Sequence, residues 1–299
     1  RLPGRVLGVF MQALAHGSSG ALLLRAEGRS TVRDDRLPEW VERGTEFTLL
    51  EQLQGDVPGL VVAAPTLGEA VPDRFEQADL FSPLDPSQSA LALLTASLDD
   101  AAAGNVDSDA FDDDLLRVFA TDFARLFRRD RLKELTIQNG APGARIRRFD
   151  KEVVHTLRTL RDTTPRPRRV RLAGRMDEAR YSRCAFVLDL ADGSRVRGVL
   201  VDARPETLKP FLGDDVVMEG IAQFRPSGRL LRVDVERLSS ASSTDLAVFS
   251  TEPRPMNERL DVRSLRRPQS LSSGISSVFG KWPGTETDEE IDDFLRHIS

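Results

Sequence analysis

The sequence predicts an α+β N-terminal domain, a small β-barrel, a flexible linker and a C-terminal amphipathic helix, in that order. Three observations support this fold class. Strand-like and helix-like apolar periodicities mix in residues 1–162, five strand-like segments crowd into 166–240, and Ser and Pro replace bulky apolar residues in 241–274. The chain has 299 residues, enough for about two domains of ordinary size. A partner-docking tail at 275–299 completes the predicted organisation.

The composition is that of a globular protein, because 40% of the residues are hydrophobic and 30% are charged. The net charge of −5 argues against a protein coated with basic charge. The charge is nevertheless segregated along the chain. Residues 145–183 hold thirteen Arg and Lys against five Asp and Glu, whereas residues 284–299 hold six acids and one Arg. Such asymmetry indicates surfaces that meet different partners.

Cysteine usage and hydropathy favour a cytoplasmic location. Cys184 is the only cysteine, so no disulfide can form within the chain, which fits a reducing compartment. No uninterrupted apolar run approaches the roughly 20 residues needed to span a bilayer. The basic and then apolar opening is similar to a short signal peptide, but Gln12 and His16 interrupt its apolar stretch.

The first 70 residues are predicted to form mainly short strands. Two apolar segments flank the sequence HGSSG at 16–20, which is typical of a turn. Two further segments flank QGDVP at 54–58, another hairpin signal with Gly and Pro punctuation. A short helix is expected between the two hairpins, at 37–43.

Helical spacing dominates the rest of the N-terminal domain. After a predicted cap at Asp85, apolar residues recur at helical intervals through 90–98, and Gly104 is a natural stop. A second helix is predicted at 112–129, a strand at 132–138 and a short basic helix at 151–161.

A different pattern follows the sequence TTPRP at 163–167. Three strands are predicted first, then a short helix at 205–212 closed by Gly213, then two more strands at 215–224 and 230–238. This order within residues 166–240 resembles the OB-fold, a five-stranded barrel with a helix between its third and fourth strands. An SH3-like barrel is the main alternative. Glycines inside the predicted strands suit the bends of a tightly coiled barrel.

No set of residues predicts catalysis, a cofactor or a metal. Asn105, Asp107 and Asp109 have the spacing of an EF-hand loop, but Ala110 and Leu116 stand where that loop needs Gly and Glu. Capping of the helix that begins near residue 112 explains these acids better. The three histidines have no Cys or His neighbour at metal-ligand spacing. We therefore expect a protein that is not an enzyme.

Arginines on the predicted barrel support binding of single-stranded nucleic acid or DNA as an alternative function. The candidates are Arg195, Arg197, Arg225, Arg229 and Arg232. OB-folds bind single strands with a positive groove and stacking aromatics. Aromatic residues are scarce here, being Tyr181, Phe186 and Phe224, and a solvated surface of paired arginines is the competing interpretation.

The C-terminal tail has the features of a docking segment. Thr287 to Glu290 reads T-D-E-E, a capping box, and acidic residues in the first turn complement the helix dipole. Apolar residues then recur at 291, 294, 295 and 298 on one face. A helix of about twelve residues is marginal alone in water, so this stripe needs a cover. Phe279 forms an apolar step upstream, and Trp282 is a typical interface anchor.

The stretch GKWPGTETDEEIDDFLRHIS at 280–299 resembles the C-terminal tail of small bacterial antitoxins of the VapB type. In that family of toxin–antitoxin systems, the tail wraps over a PIN-domain ribonuclease and obstructs its acidic metal site. The resemblance implies an anchor at Trp282, a docking stripe of Ile291, Phe294 and Leu295, and a basic group, Lys281 or Arg296, near the nuclease carboxylates. The chain departs from the family in carrying some 240 residues of other structure before the tail.

Overall fold

The computed structural model describes residues 4–32, 36–55, 57–75, 84–128, 132–138, 146–180, 184–201, 205–256 and residue 287. Its helices are α1 (Gly4–Glu27), α2 (Glu39–Gly44), α3 (Leu67–Ala70), α4 (Ala90–Ala102), α5 (Asp113–Val118), α6 (Ala124–Leu126), α7 (Lys151–Thr163) and α8 (Ser243–Phe249). Its strands are β1 (Thr48–Leu53), β2 (Gly59–Ala63), β3 (Leu135–Gln138), β4 (Ile146–Phe149), β5 (Arg168–Arg180), β6 (Ala185–Asp189), β7 (Arg195–Leu200), β8 (Asp215–Phe224) and β9 (Leu230–Ser240). The fold is therefore a mixture of α and β elements, as predicted.

The prediction of two short strands around HGSSG was wrong, because α1 runs through this segment as one 24-residue helix. The small residues Gly17, Ser18, Ser19 and Gly20 are buried in its middle. A Cβ atom on Gly17 would lie 2.7 Å from the Cδ1 atom of Leu94. The Gly–Ser run thus lets α1 approach α4 closely, and it does not turn the chain.

Helix α1 is also the one described helix that is long and apolar enough to cross a membrane by length and composition. In the fold, 56% of its most apolar window is buried against the rest of the protein.

The second predicted hairpin is confirmed. Strands β1 and β2 pair antiparallel with an irregularity between Leu49 and Glu51. The short helix before them is also present, as α2. A further two-stranded sheet pairs β3 with β4, which agrees with the strand predicted at 132–138.

The helical predictions for residues 85–161 hold, with one change of cap. The side chain of Ser89, and not that of Asp85, accepts the capping hydrogen bond of α4, from the amide of Ala92. The second predicted helix is α5 and α6 joined by a π-helical segment, Phe119–Phe123. The predicted basic helix is α7, and the side chain of Asp150 caps it. These helices and α1 enclose the main apolar core of the N-terminal half.

Residues 168–240 form a closed five-stranded barrel in the order β5-β6-β7-β9-β8. Strands β7 and β9 are parallel, and the other neighbours are antiparallel. A 3₁₀ helix, Pro205–Phe211, lies between β7 and β8. This architecture is consistent with the predicted OB-like barrel. Within it, Gly198 makes room for the buried ring of Phe186, which lies 2.5 Å from where a Cβ atom would stand.

The linker predicted at 241–274 is helical near its start, because α8 occupies residues 243–249. Ser242 and Asp245 form a capping box that starts α8. Helix α8 packs on the barrel, because Arg171 of β5 pairs with Asp245 at 2.9 Å and stacks over the ring of Phe249. Residues 257–274 lie outside the described part of the chain.

The chain divides into two compact units, residues 1–256 and residues 257–299. Except for Thr287, the second unit lies outside the described residues. The same is true of every predicted partner-binding residue, namely Phe279, Lys281, Trp282, Ile291, Phe294, Leu295 and Arg296. The predicted amphipathic tail helix thus stays a prediction.

Candidate ligand-binding cleft

The outer face of β7 turns toward the helical half of the protein. Val196 and Leu200 belong to the barrel core. Because side chains alternate along a strand, Arg195, Arg197 and Val199 lie on the opposite, outer face. Val199 is nevertheless buried, since α1 ends against it. A Cβ atom on Gly28, just after α1, would lie 3.3 Å from the Cγ2 atom of Val199.

A cleft of about 960 Å³ lies between this face and the helices. Helices α1 and α4 line one side with Ala21, Leu24, Arg25, Leu93, Ser97 and Asp100. The barrel lines the other with Glu178, Val187, Arg195, Arg197, Val199 and Arg232. The volume lies at the upper end of the range for small-molecule sites, about 300–1,000 Å³.

The acidic groups of the cleft already have partners. Asp109 accepts a hydrogen bond from the Nη2 atom of Arg225 at 2.5 Å. Asp100 accepts from the hydroxyl of Ser108 and from the amide of Asn105. The two glutamates pair with arginines, Glu178 with Arg195 at 3.0 Å and Glu27 with Arg29 and Arg74 at about 4 Å.

The basic groups of the cleft differ in how fully they are paired. Arg195 contacts three carboxylates, those of Asp177, Glu178 and Asp189. The hydrogen bonds to Glu178 and Asp189 raise the pKa of Arg195 above its ordinary value. In contrast, Arg180 and Arg197 are exposed and form no ion pair with any residue that the structure describes.

A second depression, of about 430 Å³, adjoins the first. Four of the five predicted nucleic-acid-binding residues line it, namely Arg195, Arg197, Arg225 and Arg229. The structure therefore brings these arginines together, although β7 and the β8–β9 turn are distant in sequence.

Arg232 does not belong to this group, because only 4% of it is accessible. Its Nη2 atom lies 3.0 Å from Asp112, and its Nε atom lies 2.7 Å from Asp234. Arg232 also does not line the 430 Å³ depression, so a single strand lying there would not contact its guanidinium. The sequence-based assignment of Arg232 to a nucleic-acid site is thus corrected to a role in joining the two halves of residues 1–256.

Asp112 is the partner of Arg232 in the helical half and caps α5. Its carboxylate accepts hydrogen bonds from the amide of Leu115 and from the amide and hydroxyl of Ser30. Burial alone raises the pKa of Asp112, but the charge of Arg232 and these hydrogen bonds outweigh it and hold the pKa below its ordinary value. Asp112 is therefore ionised in the folded protein at neutral pH.

The contact between the helical half and the barrel, called the seam below, also includes the acidic loop at 105–109, whose spacing is that of an EF-hand loop. Asp109 pairs with Arg225, and Asp107 accepts a hydrogen bond from the hydroxyl of Ser227 at 2.6 Å. Arg229 is 3.9 Å from Asp107. These aspartates therefore contact the barrel, a role that their spacing in the sequence did not indicate.

No group of three or more His, Cys, Asp and Glu side chains that could hold a metal occurs among the described residues. His16 bonds Asp122 of the π-helical segment at 2.9 Å. Phe186 and Phe224 are both buried in the barrel core, so neither can stack on a base. Tyr181, the third aromatic residue considered for stacking, lies outside the described residues.

No protein-family model matches the chain, and comparisons with curated proteins and with solved structures found no match. The geometry of the cleft and the pattern of the tail are therefore the basis for assigning a function.

Proposed function

We propose that this chain is a non-enzymatic regulatory protein that docks on a partner protein through residues 275–299 and restrains it. The partner class that the tail's sequence implies is a PIN-type ribonuclease, so the proposed role is that of an antitoxin. One observation supports the proposal: contacts divide the chain after Met256, so that the tail belongs to a different unit from the barrel and the helices. The amphipathic helix predicted for this tail would be too short to be stable alone in water, and would be suited to covering its apolar stripe on another molecule.

The test uses the product of the reading frame beside this gene, provided that it carries the spaced acidic residues of a PIN nuclease. Its ribonuclease activity is measured with the full chain and with a chain that ends at residue 256. We expect inhibition by the full chain and none by the shortened chain. Equal inhibition by both would show that the tail is not the docking element.

Replacing two predicted anchors gives a finer test. Trp282→Ala combined with Phe294→Ala should abolish inhibition, because truncating an interface anchor typically costs about 2 kcal/mol or more. The melting temperature of the double variant without a partner should equal that of the unaltered protein. A fall of several degrees would mean that the tail is part of this protein's own core.

Binding of single-stranded nucleic acid is a second candidate function, favoured by the arginines around the 430 Å³ depression. Arg225 is paired with Asp109 and Arg195 with three carboxylates, which leaves Arg197 and Arg229 as the more available cations. Two phosphate contacts predict a slope of about −1.4 in log affinity against log salt, at about −0.7 per contact. Such binding would be weak and would lack a stacking contribution from Phe186 or Phe224.

A labelled single strand, titrated at several salt concentrations, tests this candidate. Arg197→Ala with Arg229→Ala should remove the salt dependence and most of the affinity. Arg237→Ala serves as a control, because Arg237 is an exposed arginine of β9 that lines neither depression and pairs with Glu219. No binding at about 50 mM salt and micromolar protein would reject the candidate.

A further inference from the structure

The cleft between α1, α4 and the barrel has the chemistry of a site for a small organic anion. Its walls come from both halves of residues 1–256, so a molecule bound there would contact the helices and the barrel together. The helices on this face of the barrel also limit what can enter. They leave a cleft of bounded volume where an uncovered barrel would offer an open groove for a long strand.

The unpaired charge in the cleft is positive. The acidic residues Glu27, Asp100, Asp109 and Glu178 each have a hydrogen-bond or ion-pair partner, whereas Arg180 and Arg197 have none among the described residues. Arginine presents a planar fork of donors that matches phosphate or carboxylate oxygens. Arg197 stands on the outer face of β7, with Val199 two residues further along the same face.

A buried donor supports this interpretation independently. Arg232 lines the cleft from β9 and is 4% accessible. Its Nε and Nη2 atoms are paired, but its Nη1 atom is buried and has no hydrogen-bond partner among the described residues. Buried polar groups are generally satisfied, so this nitrogen, on a residue that lines the cleft, is a donor that a bound acceptor could satisfy.

The remaining lining suits the uncharged part of such a ligand. Leu24 and Leu93 from the helices and Val187 and Val199 from the barrel supply apolar surface. Ser97 supplies a hydroxyl in the same cleft. A few polar groups within a mainly apolar lining are typical of small-molecule sites.

From these observations we infer that the cleft binds a small organic phosphate of mononucleotide size, with its phosphate near Arg197. Several guanidiniums around one cleft favour a phosphate, which carries up to two negative charges, over a single carboxylate. The volume of about 960 Å³ accommodates a base and a sugar beside the phosphate. This site is separate from the docking tail, so the inference stands whether or not the tail binds a ribonuclease.

The test is calorimetric titration of the full chain with the four ribonucleoside 5′-monophosphates, inorganic phosphate and adenosine. We expect at least one nucleotide to bind with a submillimolar dissociation constant. Inorganic phosphate and adenosine should each bind at least tenfold more weakly, because each makes only part of the contacts. If no nucleotide binds at 5 mM, or if phosphate alone binds as tightly as every nucleotide, the inference is wrong.

Variants locate the site. Arg197→Ala should weaken nucleotide binding at least tenfold, and Val187→Trp should abolish it by filling the cleft. Arg175→Ala is the matched control: Arg175 is another exposed arginine of the barrel without an ion pair to a described residue, and it does not line the cleft. Because Arg197 is exposed, its variant should keep the unliganded melting temperature. Equal affinities for the Arg197 and Arg175 variants would overturn the assignment, as would tighter binding of a single-stranded oligonucleotide than of any mononucleotide.

Discussion

At the scale of single residues, the Asp112–Arg232 pair is the contact with the largest consequences. Both side chains are at least 95% buried, and they join the N-terminus of α5 to strand β9. Charges removed from water are stabilising only when their partners and hydrogen bonds are complete. Ser30, Leu115 and Asp234 complete most of this set, so losing one member leaves the others without a partner.

We predict that Asp112→Asn lowers the free energy of unfolding by about 3 kcal/mol, because Arg232 then keeps a buried charge with one carboxylate fewer. Asparagine retains a cap for α5, so the loss reports mainly on the charge. Asp113→Asn is the control, since Asp113 pairs with the exposed Arg117. The control should cost about 1 kcal/mol or less. Urea unfolding of both variants measures the difference, and equal losses would contradict the assigned role.

The same carboxylate predicts an acid sensitivity. Its pKa in the folded protein lies below the ordinary value of 3.8, so its contribution to stability is fully present above about pH 5. That contribution is lost as the pH falls below 3.8 and through the folded pKa. Melting temperatures between pH 6 and pH 3 should therefore fall more steeply for the unaltered protein than for Asp112→Asn. Parallel curves would show that Asp112 is not linked to the acid loss.

At the scale of elements, local patterns predicted most of the structure and failed where packing overrode them. The strands of the barrel alternate apolar and polar residues, so β5 to β9 could be predicted along with the short helix between β7 and β8. The α1 helix could not, because Gly and Ser in sequence indicate a turn unless a close neighbour is known. Leu94 is that neighbour, and it lies more than 70 residues away.

The cleft could not be predicted either, because it too depends on residues that are far apart in the sequence. Its charge balance depends on which acids pair with which arginines, and Asp109 and Arg225 are 116 positions apart. Four of the five arginines grouped from the sequence do line one depression, because β7 and β9 are neighbours in the barrel. The sequence did not indicate that Arg232 is buried, since a buried and an exposed arginine look alike in an alternating strand.

The close packing of α1 predicts that a larger side chain destabilises the protein at one of its glycines and is tolerated at another. Gly17→Val should lower the free energy of unfolding by about 2 kcal/mol, because its added carbons overlap the buried side chain of Leu94. At Gly8 nothing lies within 4 Å of the added Cβ atom, so Gly8→Val should change stability by less than about 0.5 kcal/mol. Thermal unfolding compares the two. Equal tolerance would contradict the crossing of α1 and α4.

At the scale of the whole molecule, residues 1–256 form one contact unit although they contain a helical half and a barrel. The seam between the halves holds the buried Asp112–Arg232 pair and the Asp109–Arg225 pair. Unfolding one half alone would leave the other half with an unpaired buried charge. Breaking a buried pair in this way is costly. The two halves should consequently unfold together, even though the sequence pattern predicts a domain boundary at about residue 162.

Two natural reporters test this cooperativity. In a chain that ends at residue 256, Trp40 of α2 is the only tryptophan and reports on the helical half, while Cys184 is the only cysteine and reports on the barrel. We expect the urea midpoints from Trp40 fluorescence and from Cys184 thiol reactivity to coincide, as in a two-state transition. In the Asp112→Asn variant the seam is weaker, so the two midpoints should move apart or shift together to lower urea. Separate midpoints in the unaltered 1–256 chain would show that the halves are independent domains and that the seam contributes little to their stability.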